Sequence, residues 1–301
     1  MSTTKIWCPY AGEEMDSAAC NAEHIIPLSL GGSNGFTVPV SKTLNAEVGS
    51  AIDAALATKD IITMFRRREF DARGHSNKKP EVRIRNATYG ADLRPAQVTL
   101  GGKDGTTVWD ARNRLDVPEQ DLAGQAIQLT LTIKPFDRIR FVAKVALAAG
   151  YAIYGELFRT FADHADLRGL VHAKSPDAAK QVLEASNLRG CFDLYPVEPK
   201  DARQVQLEKV MCEAVSGSVV MSTPTNESVI FTVGVLGQWV GTMNVPAQTD
   251  SYPNDGIHDV GHVILMVDGK TERISLREFA KYVHGLQTGQ TGDEQAQNDP
   301  A

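Results

Sequence analysis

Glu23-His24-Ile25-Ile26-Pro27-Leu28-Ser29-Leu30-Gly31-Gly32, followed by Leu44-Asn45-Ala46-Glu47-Val48-Gly49, is the stretch whose reading decides the fold. A Pro is disfavoured inside a paired central strand, so Pro27 predicts that a strand carrying Glu23 and His24 ends early. That matters because neighbours on a regular strand point to opposite faces. An acid and a His in succession can serve one site only where the strand ends or twists. Gly31-Gly32-Ser33-Asn34-Gly35 reads as a loop, with glycines admitting backbone angles that other residues avoid. Phe36-Thr37-Val38-Pro39-Val40 reads as the return strand, and Ser41 as the cap of a helix to about Leu56. On that helix Asn45, Gly49 and Asp53 fall at i, i+4 and i+8 and share a face. Gly49 is expected to let that face approach the hairpin closely. Asn45 lies near the helix start, a favourable place for phosphate.

The residue types suit hydrolysis by an activated water beside a bound cation. A neutral His titrates near physiological pH and can take a proton from water, so His24 is the candidate base. A hard cation such as Mg²⁺ keeps several waters and needs only one or two protein oxygen ligands, which Glu23 and Asn45 can supply.

The ordered string resembles the HNH (ββα-metal) nucleases, particularly the branch reading Glu-His-Ile-Ile-Pro-x-Ser-x-Gly-Gly, over roughly residues 6–57. The resemblance implies an α+β protein opening on a ββα-metal module. It also implies catalytic residues Glu23, His24 and Asn45, with Glu23 and Asn45 holding Mg²⁺ or another divalent cation. The implied reaction is cleavage of DNA to 5′-phosphate and 3′-hydroxyl ends, in settings that include restriction, anti-phage defence and mobile elements. Two departures stand out. Many members carry two Cys pairs around a structural zinc; here Cys8 alone remains, Ala11, Ser41 and Leu44 hold the other positions, and Cys20 fits none. One thiolate cannot make a four-coordinate site, so no structural zinc is expected. The middle Asn of the family name is replaced by Phe36, and Asn34 is the nearby residue for its loop-bracing role.

Charge is unevenly distributed. The chain of 301 residues has a net charge of −6, yet Lys59–Lys103 holds eleven Lys and Arg against five Asp and Glu. This segment directly follows the expected catalytic helix. Its Arg66, Arg67, Arg68, Lys78, Lys79, Arg83 and Arg85 are the candidate nucleic-acid-binding residues. A polar start lacking an apolar run, four scattered Cys (8, 20, 191 and 212), and a longest apolar run of only Val145–Gly155 point to a cytoplasmic protein with no membrane partner.

Four parts are expected: residues 1–58 as the HNH-like module, 59–135 as a basic connector with short strands, 136–286 as a mixed helical and antiparallel β region that could recognise substrate or a partner, and 287–301 as a disordered tail. Residues 59–70 read as helix, Glu81 to Ile133 as short strands with a turn at Gly101-Gly102, and Asp137 to about His164 as one long buried helix. Ser175-Pro176 opens another helix. Asp268-Gly269 marks a two-residue hairpin between His262–Val267 and Lys270–Ile274, and Ser275 with Glu278 a capping box for a last helix ending near Gly285. His258 and His262 have metal-like spacing but no third ligand. His75 in the basic loop reads as solvated, His164 and His172 as structural, and Cys191 and Cys212 as small core residues. Two rivals to the nuclease are a non-catalytic nucleic-acid-binding or interaction protein on a degenerate HNH scaffold, and an effector whose acidic C-terminal region senses a ligand.

Overall fold

Pro27 and the glycine pair behind it set where the first hairpin turns. The protein is described by a computed structural model over residues 4–101, 105–250, 252, 256–258 and 260–288. β1 (Lys5–Cys8) and β2 (Glu13–Asp16) form a short antiparallel ribbon, and β3 (Cys20–His24) pairs antiparallel with β4 (Thr37–Ser41). β3 stops at His24, as Pro27 requires. The Leu30 and Gly32 N–H groups then both bond Pro27 O, closing a tight turn. Gly31 adopts φ +76°, and a Cβ on Gly32 would fall onto the Ile26 carbonyl, so both positions demand glycine.

Ser41 Oγ accepts the Leu44 N–H at 3.5 Å and starts α1 (Lys42–Val48). Gly49–Asp53 then form a π-helical turn before α2 (Ala54–Thr58), so the chain stays helical two residues past the expected end. The wider turn breaks the regular i, i+4, i+8 spacing. A Cβ on Gly49 would meet open space. Gly49 is therefore not the close approach to the hairpin that its position suggested; it borders a cleft.

Asp60 caps α3 (Ile61–Glu69), accepting the Thr63 N–H at 2.9 Å. The expected connector is a sheet in its own right. β5 (Glu81–Tyr89), β6 (Arg94–Gly101), β7 (Thr107–Asp110), β8 (Leu115–Asp116) and, after the short α4 (Glu119–Leu122), β9 (Ile127–Leu129) form an antiparallel sheet ordered β8-β7-β6-β5-β9. Its small core gathers Ala87, Tyr89, Ala96, Val98 and Val108. The expected turn at Gly101-Gly102 falls partly outside the described residues.

The single long helix expected from Asp137 is instead three: α5 (Pro135–Tyr154), α6 (Glu156–Phe161) and α7 (His164–His172). Gly155, at φ +57°, makes the first break. α8 (Pro176–Ala185) follows with Ser175 as its cap, then β10 (Arg189–Phe192) and α9 (Ala202–Glu213). β11 (Ser218–Pro224), β12 (Ser228–Val235), β13 (Gln238–Pro246), β14 (His262–Val267) and β15 (Lys270–Ser275) complete a six-stranded antiparallel sheet ordered β10-β13-β12-β11-β14-β15. The Asp268-Gly269 turn has φ +50° and +74°, the two left-handed positions its sequence called for. The Glu278 N–H bonds Ser275 Oγ at 3.1 Å and opens α10 (Leu276–Thr288). Gln287 and Thr288 are thus helical rather than part of a tail; residues 289–301 lie outside the described residues.

α5 is the axle of this α+β fold. It packs on β12 and β13, on β4 and α2 of the N-terminal hairpin and helix, and on α7. Its small residues permit this: a Cβ on Gly150 would fall inside the Phe158 ring. Arg138 and Lys144, both 0 % exposed, sit six residues apart, about 240° around the helix at roughly 100° per residue. They therefore reach different neighbours. Arg138 donates to Asp60 at 2.9 and 3.0 Å and to Asp193 at 2.7 Å. No helix among the described residues is long and apolar enough to cross a membrane.

Replacing Arg138 with Met leaves Asp60 buried without its cation, which costs about 3–5 kcal/mol at such sites. Urea unfolding of Arg138→Met is expected to show a loss of that size. An unchanged midpoint would mean that α5 is held by apolar packing alone.

Candidate functional site

His24 stands at the last residue of β3, where the chain leaves the sheet. Its Nε2 lies 2.8 Å from Asn34 Oδ1. A carboxamide oxygen only accepts, so Nε2 carries the hydrogen and the neutral ring presents its lone pair on Nδ1. Asn34, expected to brace the loop, contacts the imidazole. The loop is anchored from far away in sequence: Ser33 Oγ donates to Gly269 O at 2.6 Å, in the β14–β15 turn. Phe36, which stands where the HNH nucleases of the resemblance carry Asn, is part of the core.

Glu23 is buried and turned toward α5. Lys144 Nζ lies 2.7 Å from Glu23 Oε1, 3.2 Å from Asp53 Oδ2, 3.1 Å from His24 O and 3.2 Å from Ile25 O. Three ammonium hydrogens serve four oxygens, so at least one is shared. Burial alone would lower the pKa of Lys144, but Asp53 and Glu23 outweigh it and hold the pKa above its ordinary value. The Tyr10 hydroxyl completes the cluster 3.4 Å from Glu23 Oε1, its pKa raised by burial and then by Glu23. Asp53 Oδ1 is buried without a hydrogen-bond partner, and burial pushes the Asp53 carboxyl up to about 6.

Asn45 makes a separate contact. Its Nδ2 donates to Asn21 Oδ1 at 3.1 Å, which uses the amide nitrogen and not the carbonyl oxygen. Asn21 and Glu23 alternate on the same face of β3, so the α1 face carrying Asn45 and the Glu23 cluster are neighbours. The donor set is oxygen throughout: the Glu23 carboxylate, the Asn45 carbonyl oxygen and the orphaned Asp53 Oδ1. Two carboxylates against one ammonium also leave negative charge in excess. These residues fit a hard divalent cation. Cys8 Sγ accepts N–H groups from Ala11 at 3.4 Å and Ser41 at 3.2 Å, which brings those two residues to the lone thiol.

A cleft of about 1570 Å³ opens beside this cluster, between the Gly49–Asp53 turn with α2 and the outward face of β5. Of the seven expected nucleic-acid-binding residues, Arg67, Lys78, Lys79, Arg83 and Arg85 line it, joined by Lys59, which no motif in the sequence singled out. Arg83 and Arg85 point outward while Val82 and Ile84 point into the core, the period-two pattern of a half-buried strand. Arg66 and Arg68 do not line the cleft: Arg66 pairs with Glu69 at 3.5 Å, and Arg68 lies beside Gly101. Arg67 is partly committed to the fold, donating to Ala57 O at 2.8 Å. His75 is exposed, as a solvated loop residue should be. Its ring lies 5.5 Å from that of His24, between cleft-lining Gly74 and Ser76.

Elsewhere, His164 and His172 make fold contacts, to Arg159 O at 2.9 Å and Tyr10 O at 3.1 Å. The His258 and His262 rings lie 4.6 Å apart, with Arg273 donating to His262 Nδ1 at 3.2 Å. Among the described residues no group of three or more His, Cys, Asp or Glu could hold a metal ion. Lys144 is the site residue that the sequence motifs do not pick out; the helical spacing places Asp53 on the Asn45 face but gives it no role. The available signal was a charge inside the apolar run Val142-Ala143-Lys144-Val145-Ala146, a position that must be answered by an acid once buried. Comparison with protein-family models, curated proteins and solved structures finds no match.

The raised Asp53 pKa makes a pH prediction. The folded state binds this proton more tightly than the unfolded chain, whose Asp titrates near 3.9. Stability from this group is therefore fully present below about pH 4 and is lost as pH rises through about 6. Relative to Asp53→Asn, the wild type is expected to gain roughly 2–3 kcal/mol between pH 7 and pH 4. Parallel stability–pH curves for the two proteins would show that Asp53 does not titrate this way.

Proposed function

We propose that this chain is an HNH-like endonuclease that hydrolyses DNA phosphodiester bonds with a divalent cation, Mg²⁺ being the natural choice for its oxygen ligands. The observation that carries this reading is the His24 Nε2 to Asn34 Oδ1 hydrogen bond of 2.8 Å, made where β3 ends; Asp53 is the member of the cluster that lines the basic cleft, and His24, Glu23 and Asn45 do not. Asn34 fixes the tautomer and the ring orientation, so Nδ1 is the atom that takes a proton from the attacking water. The Asn34 oxygen then stabilises the imidazolium that forms, the role an orienting group plays behind a general base. Glu23 and the Asn45 carbonyl oxygen are the residues that would hold the cation, with Asp53 Oδ1 beside them. When bound, the cation supplies charge stabilisation at the phosphate and the departing 3′ oxygen. Lys59, Lys78, Lys79, Arg83 and Arg85 supply the field that draws the phosphate backbone into the cleft.

The decisive experiment is plasmid cleavage with and without Mg²⁺. His24→Ala is expected to lose roughly 10²–10⁴-fold in rate while keeping its fold and DNA affinity. Equal cleavage by variant and wild type would remove His24 from the mechanism.

The cleft gives a second test, free of turnover. In a His24→Ala background, neutralising Lys78, Lys79, Arg83 and Arg85 together should weaken duplex binding regardless of sequence. It should also flatten the log–log salt dependence by roughly 0.9 for each phosphate that the protein ceases to neutralise. An unchanged slope would place the DNA path elsewhere.

A second reading, nucleic-acid binding without hydrolysis, is favoured by one feature: the Glu23 carboxylate is already engaged by Lys144. The two readings part in the first experiment, since a binding scaffold cleaves nothing under any cation.

A further inference from the structure

We propose that Lys144 is the positioning residue of the His24 site, holding the main chain at His24 and Ile25 where it leaves β3 and so fixing where the His24 ring stands. This rests on the nuclease reading for its kinetic consequence, but its geometric core stands without it.

The backbone at the end of β3 carries the inference. On a regular strand successive carbonyls point to opposite sides, as successive side chains do. Here the carbonyls of His24 and Ile25 both reach Lys144 Nζ, at 3.1 and 3.2 Å. Two consecutive carbonyls converging on one nitrogen require the chain to have turned out of the strand at that peptide. The same nitrogen holds Glu23 Oε1 at 2.7 Å. One ammonium therefore fixes the side chain of Glu23, the carbonyl of His24 and the turn that follows it at Ile25.

The choice of lysine follows from the same geometry. A compact ammonium can place one nitrogen among four oxygens arriving from different directions, whereas a guanidinium spreads its donors in a planar fork. The Lys144 ammonium is itself 0 % exposed, while Asp53 beside it reaches the cleft. The ammonium comes from α5, about 120 residues downstream of the strand it holds. Active geometry in the N-terminal hairpin is thus set by a helix of the C-terminal region. Asn34 braces the ring of His24 from one side, and Lys144 braces its backbone from the other.

Two variants and two readouts test this. Lys144→Arg keeps the charge but not the point geometry. The double variant Lys144→Met with Asp53→Asn removes the cation together with one of its two acids. For both, the expectation is retained folding by circular dichroism, DNA affinity within about twofold of wild type, and kcat down roughly 10²-fold, the scale of a misplacement of about 1 Å. The second readout needs no turnover: the His24 imidazole in nitrogen-edited NMR spectra. The wild type should show one Nε2–H tautomer, held by Asn34, and both variants a mixture of tautomers or an averaged signal.

Cleavage by the double variant at the wild-type rate would show that Lys144 only neutralises Asp53, and would overturn the proposal. An unchanged His24 spectrum in both variants would overturn it too. If the wild type cleaves no DNA with Mg²⁺, the nuclease reading fails, and the NMR comparison alone decides whether Lys144 positions His24. If the double variant unfolds, Lys144→Arg carries the decision by the same two readouts.

Discussion

A lysine ammonium cut off from water must be answered by oxygen atoms, and the four that answer Lys144 come from two separate parts of the chain. Glu23, His24 and Ile25 belong to the first hairpin and its turn, Asp53 to the helix after it, and Lys144 itself to α5. Leaving a buried cation unmatched costs several kcal/mol, so these segments separate only against that penalty. Arg138 makes the same demand on another side of α5, against Asp60 and Asp193. Two cations on one helix thus tie the hairpin, the start of α3 and the segment after β10 to a common axis.

Buried ion pairs are weak sources of net stability, because desolvation offsets much of their attraction. What they enforce is arrangement. An apolar α5 could slide or rotate against its neighbours at modest cost, since hydrophobic contact is non-directional. An ammonium with four oxygens within 3.2 Å cannot. The apolar surroundings supply the bulk of the stabilisation, through Phe141, Val145, Leu147 and the ring of Phe158 seated against Gly150. The cations select the register in which that core closes.

The electrostatic layout follows from the same folding. An acidic chain carries a basic segment that forms one wall of a cleft, with Arg83 and Arg85 on the outer face of β5 and Lys78 and Lys79 in the loop before it. The opposite wall is the π-helical turn that brings Asp53 to the surface of the cleft while its Oδ2 stays on Lys144. A basic wall and the carboxylate of Asp53 therefore line the same cleft.

Local signals in the sequence determined the local elements. Pro27 ended β3, Ser41 and Ser175 capped their helices, Asp268-Gly269 made its hairpin, and the alternation of Val82, Arg83, Ile84 and Arg85 sorted core from cleft. Each works within a few residues, by a fixed backbone angle, a missing N–H or a side chain reaching its own main chain, and needs nothing distant to be read. His24 and its neighbour Asn34 were legible for the same reason. Only the tertiary structure decided the partners of Glu23 and Asn45, the separation of Arg66 and Arg68 from the cleft, the approach of His75 to His24, and the division of one expected helix into three. Those depend on segments distant in the chain or on how the chain packs at Gly155. A buried charge in a sequence announces only that some acid must meet it; which acid, and from which direction, is settled when the core closes around α5.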